Sequence, residues 1–184
     1  MIITIHQPNF FPWYPLFEKI KQADVFVILG HCQYEKNGHQ NRFNYRNAWH
    51  TMSINKGLEP IKNKRYINPL SDWNKIKTNI KDKKHILDLF DNCISDNMYD
   101  TNVKIITQLM KMLDIKTKIE FDYPTDAKSS ERLLDICKNY KATTYLAGSS
   151  GANYLDLSIF AANNISVSIQ DLSKAKLVHT LDVL

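Results

Sequence analysis

The stretch IITIHQPNFFPWYPLFEKIKQADVFVIL, residues 2–29, decides the fold. Ile2 to Ile5 are apolar and mostly β-branched, and they stop at His6-Gln7-Pro8, which reads as a short buried strand ended by a residue that cannot donate to a ladder. From Tyr14 to Gln22, Leu16, Phe17 and Ile20 fall on one helical face, with Pro15 acceptable in the first turn. Val25 to Leu29 is apolar throughout, as in a strand covered on both faces of a parallel sheet. Strand, helix and strand in so short a span make a compact βαβ unit.

The final third repeats this alternation. We expect a strand near Lys118 to Phe121, a helix from Ser129 or Ser130 to Tyr140, a strand from Thr143 to Ala147, a helix from Asn153 to Ala162 and a strand from Ile165 to Ile169. Such alternation implies an α/β fold, a mainly parallel sheet flanked by helices in the Rossmann-like manner. Between these halves, residues 30–47 read as a long polar loop or irregular hairpin, and Trp49 to Ile54 as a short strand. Helices near 72–80, with an N-cap at Ser71-Asp72, and near 83–94 and 100–113 form a helical insertion around residues 70–113. In the last of these helices Val103, Ile106, Leu109, Met110 and Leu113 repeat at three and four, which is a core stripe.

No linker or repeat divides the 184 residues, so we expect one α/β domain over 1–184. A chain of this length hides roughly 70% of its unfolded surface and needs neither disulfide nor structural metal. With five glycines and six prolines, collagen-like and flexible-linker classes are excluded, and the places where these residues cluster become informative. Pro8, Pro12 and Pro15 crowd one turn; Gly148 and Gly151 bracket a Ser-Ser pair. The net charge of +5 suits an anionic ligand, but no zinc-finger, helix-turn-helix or RNA-binding pattern is present, and the lysine runs read as solvated faces. Three cysteines without a CxxC spacing fit a reducing compartment. With neither a signal-peptide pattern nor an apolar run long enough to span a bilayer, we expect a cytoplasmic protein.

Ligands of open α/β sheets bind beyond the carboxyl ends of the strands. His6-Gln7-Pro8-Asn9, continuing to Trp13, leaves the first strand with an imidazole suited to proton transfer or phosphate binding. Gly148-Ser149-Ser150-Gly151 lies between a strand and a helix, where small residues and free N–H groups cradle anions. In the loop after the second strand, Gln33, Asn41, Arg42 and Arg46 supply amides and forked cations. Cys32 beside His31 reads as a packed strand-end cysteine, and no histidine spacing indicates a metal.

Three blocks of sequence resemble the WbqC-like family of bacterial proteins. They are Ile5 to Trp13 continuing through Lys19-Ile20 and Ala23 to Leu29, then Gln33 to Lys36 with Gln40-Asn41-Arg42, and finally Ser130 to Cys137 leading to Ala142 to Gly151 and Tyr154-Leu155-Asp156. The resemblance implies a role in surface-polysaccharide (O-antigen or capsule) synthesis: transfer of an aminoacyl, glycyl-type group to the amine of a nucleotide-linked amino-deoxy sugar. Its motif positions fall on His6, Gln7, Pro8, Trp13, Asn41, Arg42, Gly148, Ser150, Gly151 and Asp156. Family members often carry acidic residues where this chain has Gly30 and His31, and Leu177 to Leu184 resembles a segment that continues in relatives.

We therefore expect His6 as catalytic base or phosphate ligand. Gln7, Asn9, Trp13, Gln33, Asn41, Arg42, Arg46, Gly148, Ser149, Ser150, Gly151 and Asp156 are the expected substrate-binding residues. The partners are a nucleotide-linked amino sugar and an activated amino acid, with an aminoacyl-tRNA among the admissible donors. ATP and Mg2+ enter only if this chain activates the carboxylate itself, as an adenylyltransferase-like enzyme would. A non-catalytic sugar-nucleotide-binding protein of the same pathway is the other alternative.

Overall fold

A computed structural model describes residues 1–184. Its strands are β1 (Ile2–His6), β2 (Val25–Ile28), β3 (Arg42–Tyr45), β4 (Ala48–Thr51), β5 (Lys118–Phe121), β6 (Thr144–Ala147) and β7 (Ser166–Ile169). The helices are α1 (Tyr14–Lys21), α2 (Pro69–Asn79), α3 (Lys84–Leu87), α4 (Met98–Met112), α5 (Ser129–Asn139) and α6 (Leu157–Ala162). Five strands form one sheet in the order β5-β2-β1-β6-β7, and every pairing in it is parallel. The expected α/β class is what the chain adopts. β3 and β4 form a separate antiparallel pair joined at Arg46-Asn47, both at positive φ, the geometry of a tight hairpin turn.

The strand order follows from which sequences can be covered on both faces. All four β2 residues are buried, as are Ile3, Thr4 and Ile5 of β1, so these two strands take the interior of the sheet. β5 and β7 contain only exposed and half-buried positions and lie at the edges. Within β1 the period of two sends Ile3 and Ile5 into a core with Leu133, Ile136 and Phe160 of α5 and α6. On the opposite face Phe17 and Ile20 of α1 pack with Phe26 and Ile28 and with the helical insertion. Thr4, wholly buried, donates its hydroxyl to the Leu146 carbonyl (2.9 Å) and so ties β1 to β6.

Phe10 and Phe11, from the proline-rich turn, anchor the insertion. Phe11 stacks on Trp73 of α2 with ring centroids 5.5 Å apart and meets Phe90 edge-on at 5.0 Å. Burying each such ring stabilises the contact by about 2–3 kcal/mol. That packing holds Phe11 at φ 45°, a left-handed conformation bulky residues seldom adopt. The insertion departs from expectation in two places. α2 starts at Pro69 with Asn68 before it, not at Ser71-Asp72, because a proline at the first position fits a helix start; Asp72 is nearly a turn inside and accepts from the Ser53 amide at 2.8 Å. The expected helix over 83–94 is broken into α3 and flanking 3-10 turns. No helix is long and apolar enough to cross a membrane.

Candidate functional site

From β1 the chain passes to β2 and then outward to β5, whereas β6 and β7 build on the other side of β1. The direction of winding therefore reverses between β1 and β6, the switch point at which open α/β sheets leave a crevice. His6 closes β1 and Gly148 follows β6, so the two loops singled out in the sequence flank that crevice.

The Gln7-Pro8 turn is held in place from outside the sheet. Wholly buried Asn102 of α4 donates to the carbonyls of Pro8 (2.7 Å) and Gln40 (2.6 Å), the Phe10 amide donates to His39 O (2.9 Å), and the Gln40 side-chain amide donates to Gln7 Oε1. Two cavities open on either side of this turn. One, of about 840 Å³, is lined by Gln7, Cys32, Gln40, Arg132, Ser150 and Tyr154 among others. The other, of about 520 Å³, is aromatic, with Phe10, Phe11, Trp13, Phe43 and His179 in its wall. His6, Asn9 and His39 line both, so the cavities meet at the end of β1.

His6 Nδ1 lies 2.8 Å from the Gln7 carbonyl. A carbonyl only accepts, so Nδ1 carries the proton and Nε2 keeps a lone pair. Burial, reinforced by the charge of Lys19, lowers the His6 pKa to about 3, which keeps the ring neutral at physiological pH. His6 is thus a neutral ring whose unprotonated Nε2 accepts hydrogen bonds. Burial likewise brings His179 down to about 4, and pushes the Cys32 thiol up to about 11, protonated and poorly nucleophilic.

Behind the larger cavity lies a buried charge network. Asp122, just past β5, accepts from the Gly30 amide (2.7 Å), the His31 amide (3.1 Å), His31 Nδ1 (2.9 Å) and Arg132 Nη2 (2.5 Å). Gly30 is small for a reason: a Cβ there would lie 2.6 Å from the ring of Tyr99. Asp122, the residue after β5, thus brings a carboxylate beside Gly30 and His31. Gln40 Oε1 and Arg132 Nε are buried without a hydrogen-bond partner on the wall of the larger cavity.

Of the residues expected from sequence, His6, Gln7, Asn9 and Ser150 come together at the larger cavity and Trp13 joins the smaller one. Gly148, Ser149 and Gly151 frame the β6 end, but as a 3-10 turn (Ser149–Asn153) and not as the start of the expected helix; α6 begins later, capped by Asp156, which accepts from the Ser158 amide at 3.0 Å. Asn41 is buried between the Tyr34 hydroxyl (3.0 Å) and the Met52 carbonyl (2.8 Å). Arg42 lies over the Trp49 ring at 4.2 Å and donates from Nε to the carbonyl of Gly38 (3.2 Å), a residue of the larger cavity's wall; Arg46 pairs with Asp82 at 2.8 Å, and Gln33 bridges to Pro60. His39, Arg132, Asp122 and Lys19 were not among the expected site residues. The signal for Lys19 was a lysine three residues after Leu16 and beside Ile20, on the apolar face of its helix.

The profile of the WbqC-like protein family matches residues 7–177. A protein of Mycobacterium tuberculosis described as uncharacterized protein Rv1507c is 25% identical over 185 residues, covering 90% of this chain and 80% of that protein. No solved structure gives a significant match.

Proposed function

The chain belongs to the WbqC-like protein family, and from that premise we propose that it transfers an aminoacyl group, glycyl in type, to the amine of a nucleotide-linked amino-deoxy sugar for bacterial surface polysaccharide, in the cytoplasm. The observation that carries this reading is the pair of cavities meeting at His6, Asn9 and His39. A transfer between two substrates needs two binding volumes and one shared wall where the reacting atoms meet. As the sugar amine attacks the acyl carbonyl, a C–N bond forms, the carbonyl oxygen gains negative charge, and the bond to the activating group breaks. The nitrogen must then lose a proton, for which the Nε2 lone pair of His6 is the acceptor at the junction. Asn9 lines the same wall, and its amide would donate to the developing oxyanion.

The test is incubation of the purified protein with nucleotide-linked amino sugars and three forms of glycine: glycyl-tRNA, a glycyl thioester, and free glycine with ATP and Mg2+. Mass spectrometry reads formation of the N-glycyl sugar nucleotide. We expect product with one donor form and a loss of about a hundredfold or more in turnover for His6→Ala, with the fold retained by circular dichroism. Near-normal turnover in that variant removes His6 from the mechanism, and absence of product with every donor and sugar removes the transferase reading. Pyrophosphate released from ATP with free glycine alone assigns the carboxylate-activating alternative.

A further inference from the structure

Lys19 breaks the logic of its helix. It is 1% exposed, on the side of α1 that also buries Leu16, Phe17 and Ile20. Buried cations elsewhere in the molecule are paired: Lys64 donates to the carbonyls of Asn55 (2.7 Å) and Gly57 (3.1 Å), Lys77 lies 2.7 Å from Asp91, and Arg132 meets Asp122. Lys19 has no carboxylate and no acceptor; burial alone acts on its proton affinity, bringing the pKa down to about 8. An ammonium taken out of water without an anion costs several kcal/mol, and such a group persists where something else supplies the negative charge.

Its position says where that charge arrives. A Cβ built on Gly148 would lie 3.9 Å from Lys19 Nζ, and no other atom beyond its chain neighbours comes within 4 Å of that point. The space over Gly148 is therefore open, with the lysine ammonium beside it. On the other strand the same charge reaches His6. Gly148 follows β6 and His6 ends β1, so the ammonium stands at the carboxyl edge between the two strands where the winding reverses.

We propose that Lys19 carries the charge of an oxyanion site between the ends of β1 and β6, and that this site takes the diphosphate of a nucleotide-linked substrate. The assignment rests on the transferase reading only for the identity of that substrate; the site itself is a property of Lys19 and the Gly148 turn. Arg42 and Arg46, the cations expected from the sequence, line neither cavity.

The experiment measures binding of inorganic pyrophosphate, UDP and ADP by calorimetry to wild type and to Lys19→Met, which keeps the length of the side chain and removes its charge. Thermal unfolding of both is recorded with and without pyrophosphate. We expect Lys19→Met to be as stable as wild type or more so, its affinity for all three anions to fall about tenfold to a hundredfold, and the stabilisation by pyrophosphate to vanish. A preference for UDP or ADP over pyrophosphate identifies the nucleotide source. As a measurement without a variant, the Lys19 13Cε resonance in wild type is titrated, and its midpoint rises from about 8 when pyrophosphate is added. The proposal is overturned if Lys19→Met is strongly destabilised or fails to fold, if both proteins bind the anions equally or not at all, or if the resonance midpoint stays fixed. None of these probes carries an acyl group, so failure of aminoacyl transfer and failure of this site are separate results.

Discussion

Replacing Asn102 by leucine tests whether the helical insertion holds the candidate site in place. Asn102 is wholly buried in α4 and makes three hydrogen bonds: its amide donates to Pro8 O at 2.7 Å and Gln40 O at 2.6 Å, and its Oδ1 accepts from the Tyr66 hydroxyl at 3.2 Å. Leucine is close in volume, so no large cavity opens, but three polar groups lose a partner away from water. Each stranded group costs about 1–3 kcal/mol, the long Tyr66 contact at the low end, and the added apolar burial returns about 1–2 kcal/mol. The net loss expected is about 3–4 kcal/mol, or roughly 10 °C in Tm for a domain of this size. Equilibrium unfolding in urea measures the total. Amide exchange at residues 7–10 and 39–41 measures where it is lost, since the two carbonyls belong to the turns that carry His6, Gln7 and Gln40. A loss below about 1 kcal/mol, or a loss with unchanged exchange in both turns, refutes the view that α4 clamps the site.

Asp122→Ala removes the carboxylate that holds Arg132 and the His31 backbone, leaving a buried guanidinium without its counter-charge; we expect about 3–5 kcal/mol less stability, checked by urea unfolding, and a shift under 1 kcal/mol contradicts it. Acid should destabilise the protein early. His6 and His179 bind protons less readily folded (about 3 and about 4) than unfolded (about 6.5), so the unfolded state holds more protons between those values: the stability from keeping the rings neutral is complete above pH 6.5 and is lost as pH falls. With both rings partly open to solvent the slope is about 1–2 kcal/mol per pH unit below pH 6, read from urea midpoints, and a flat profile from pH 7 to 5 contradicts it.

The sheet was legible because its strands announce themselves: Val25 to Leu29 has no polar residue to place on an exposed face, and Ile2 to Ile5 ends at a proline. Observed strand limits differ from the expected ones by a residue or so, as at Thr144 and Ser166. The region from 83 to 94 differs from expectation because a period of three or four does not distinguish one helix from a chain of single turns, and tertiary packing of Ile86, Leu87 and Phe90 decides the matter. The helix expected from Asn153 starts later because Asp156 offers a better cap than the residues around Gly151. Phe10 and Phe11, in the turn after β1, spend their rings largely on the insertion. The charge at the site arrives from a distance: Asp122 reaches Gly30 and His31, the loop after β2, through the parallel pairing of β5 with β2, and Arg132 meets it from α5; residue spacing does not encode that pairing.

The hydroxyl of Thr4 reaches Leu146 across 142 residues of sequence. β1 can pair with β2 almost as soon as both are made, but its other side must wait until β6 has left the ribosome. The cleft between them therefore assembles late, closed by contacts across more than 140 residues that are entropically costly to make. Until then one side of the central strand is an uncovered edge with free amides and carbonyls, the kind of surface on which nascent chains aggregate. A ligand held between β1 and β6 would act as a late clasp on that closure, so nucleotide supplied during refolding should raise the yield of native protein as well as its final stability.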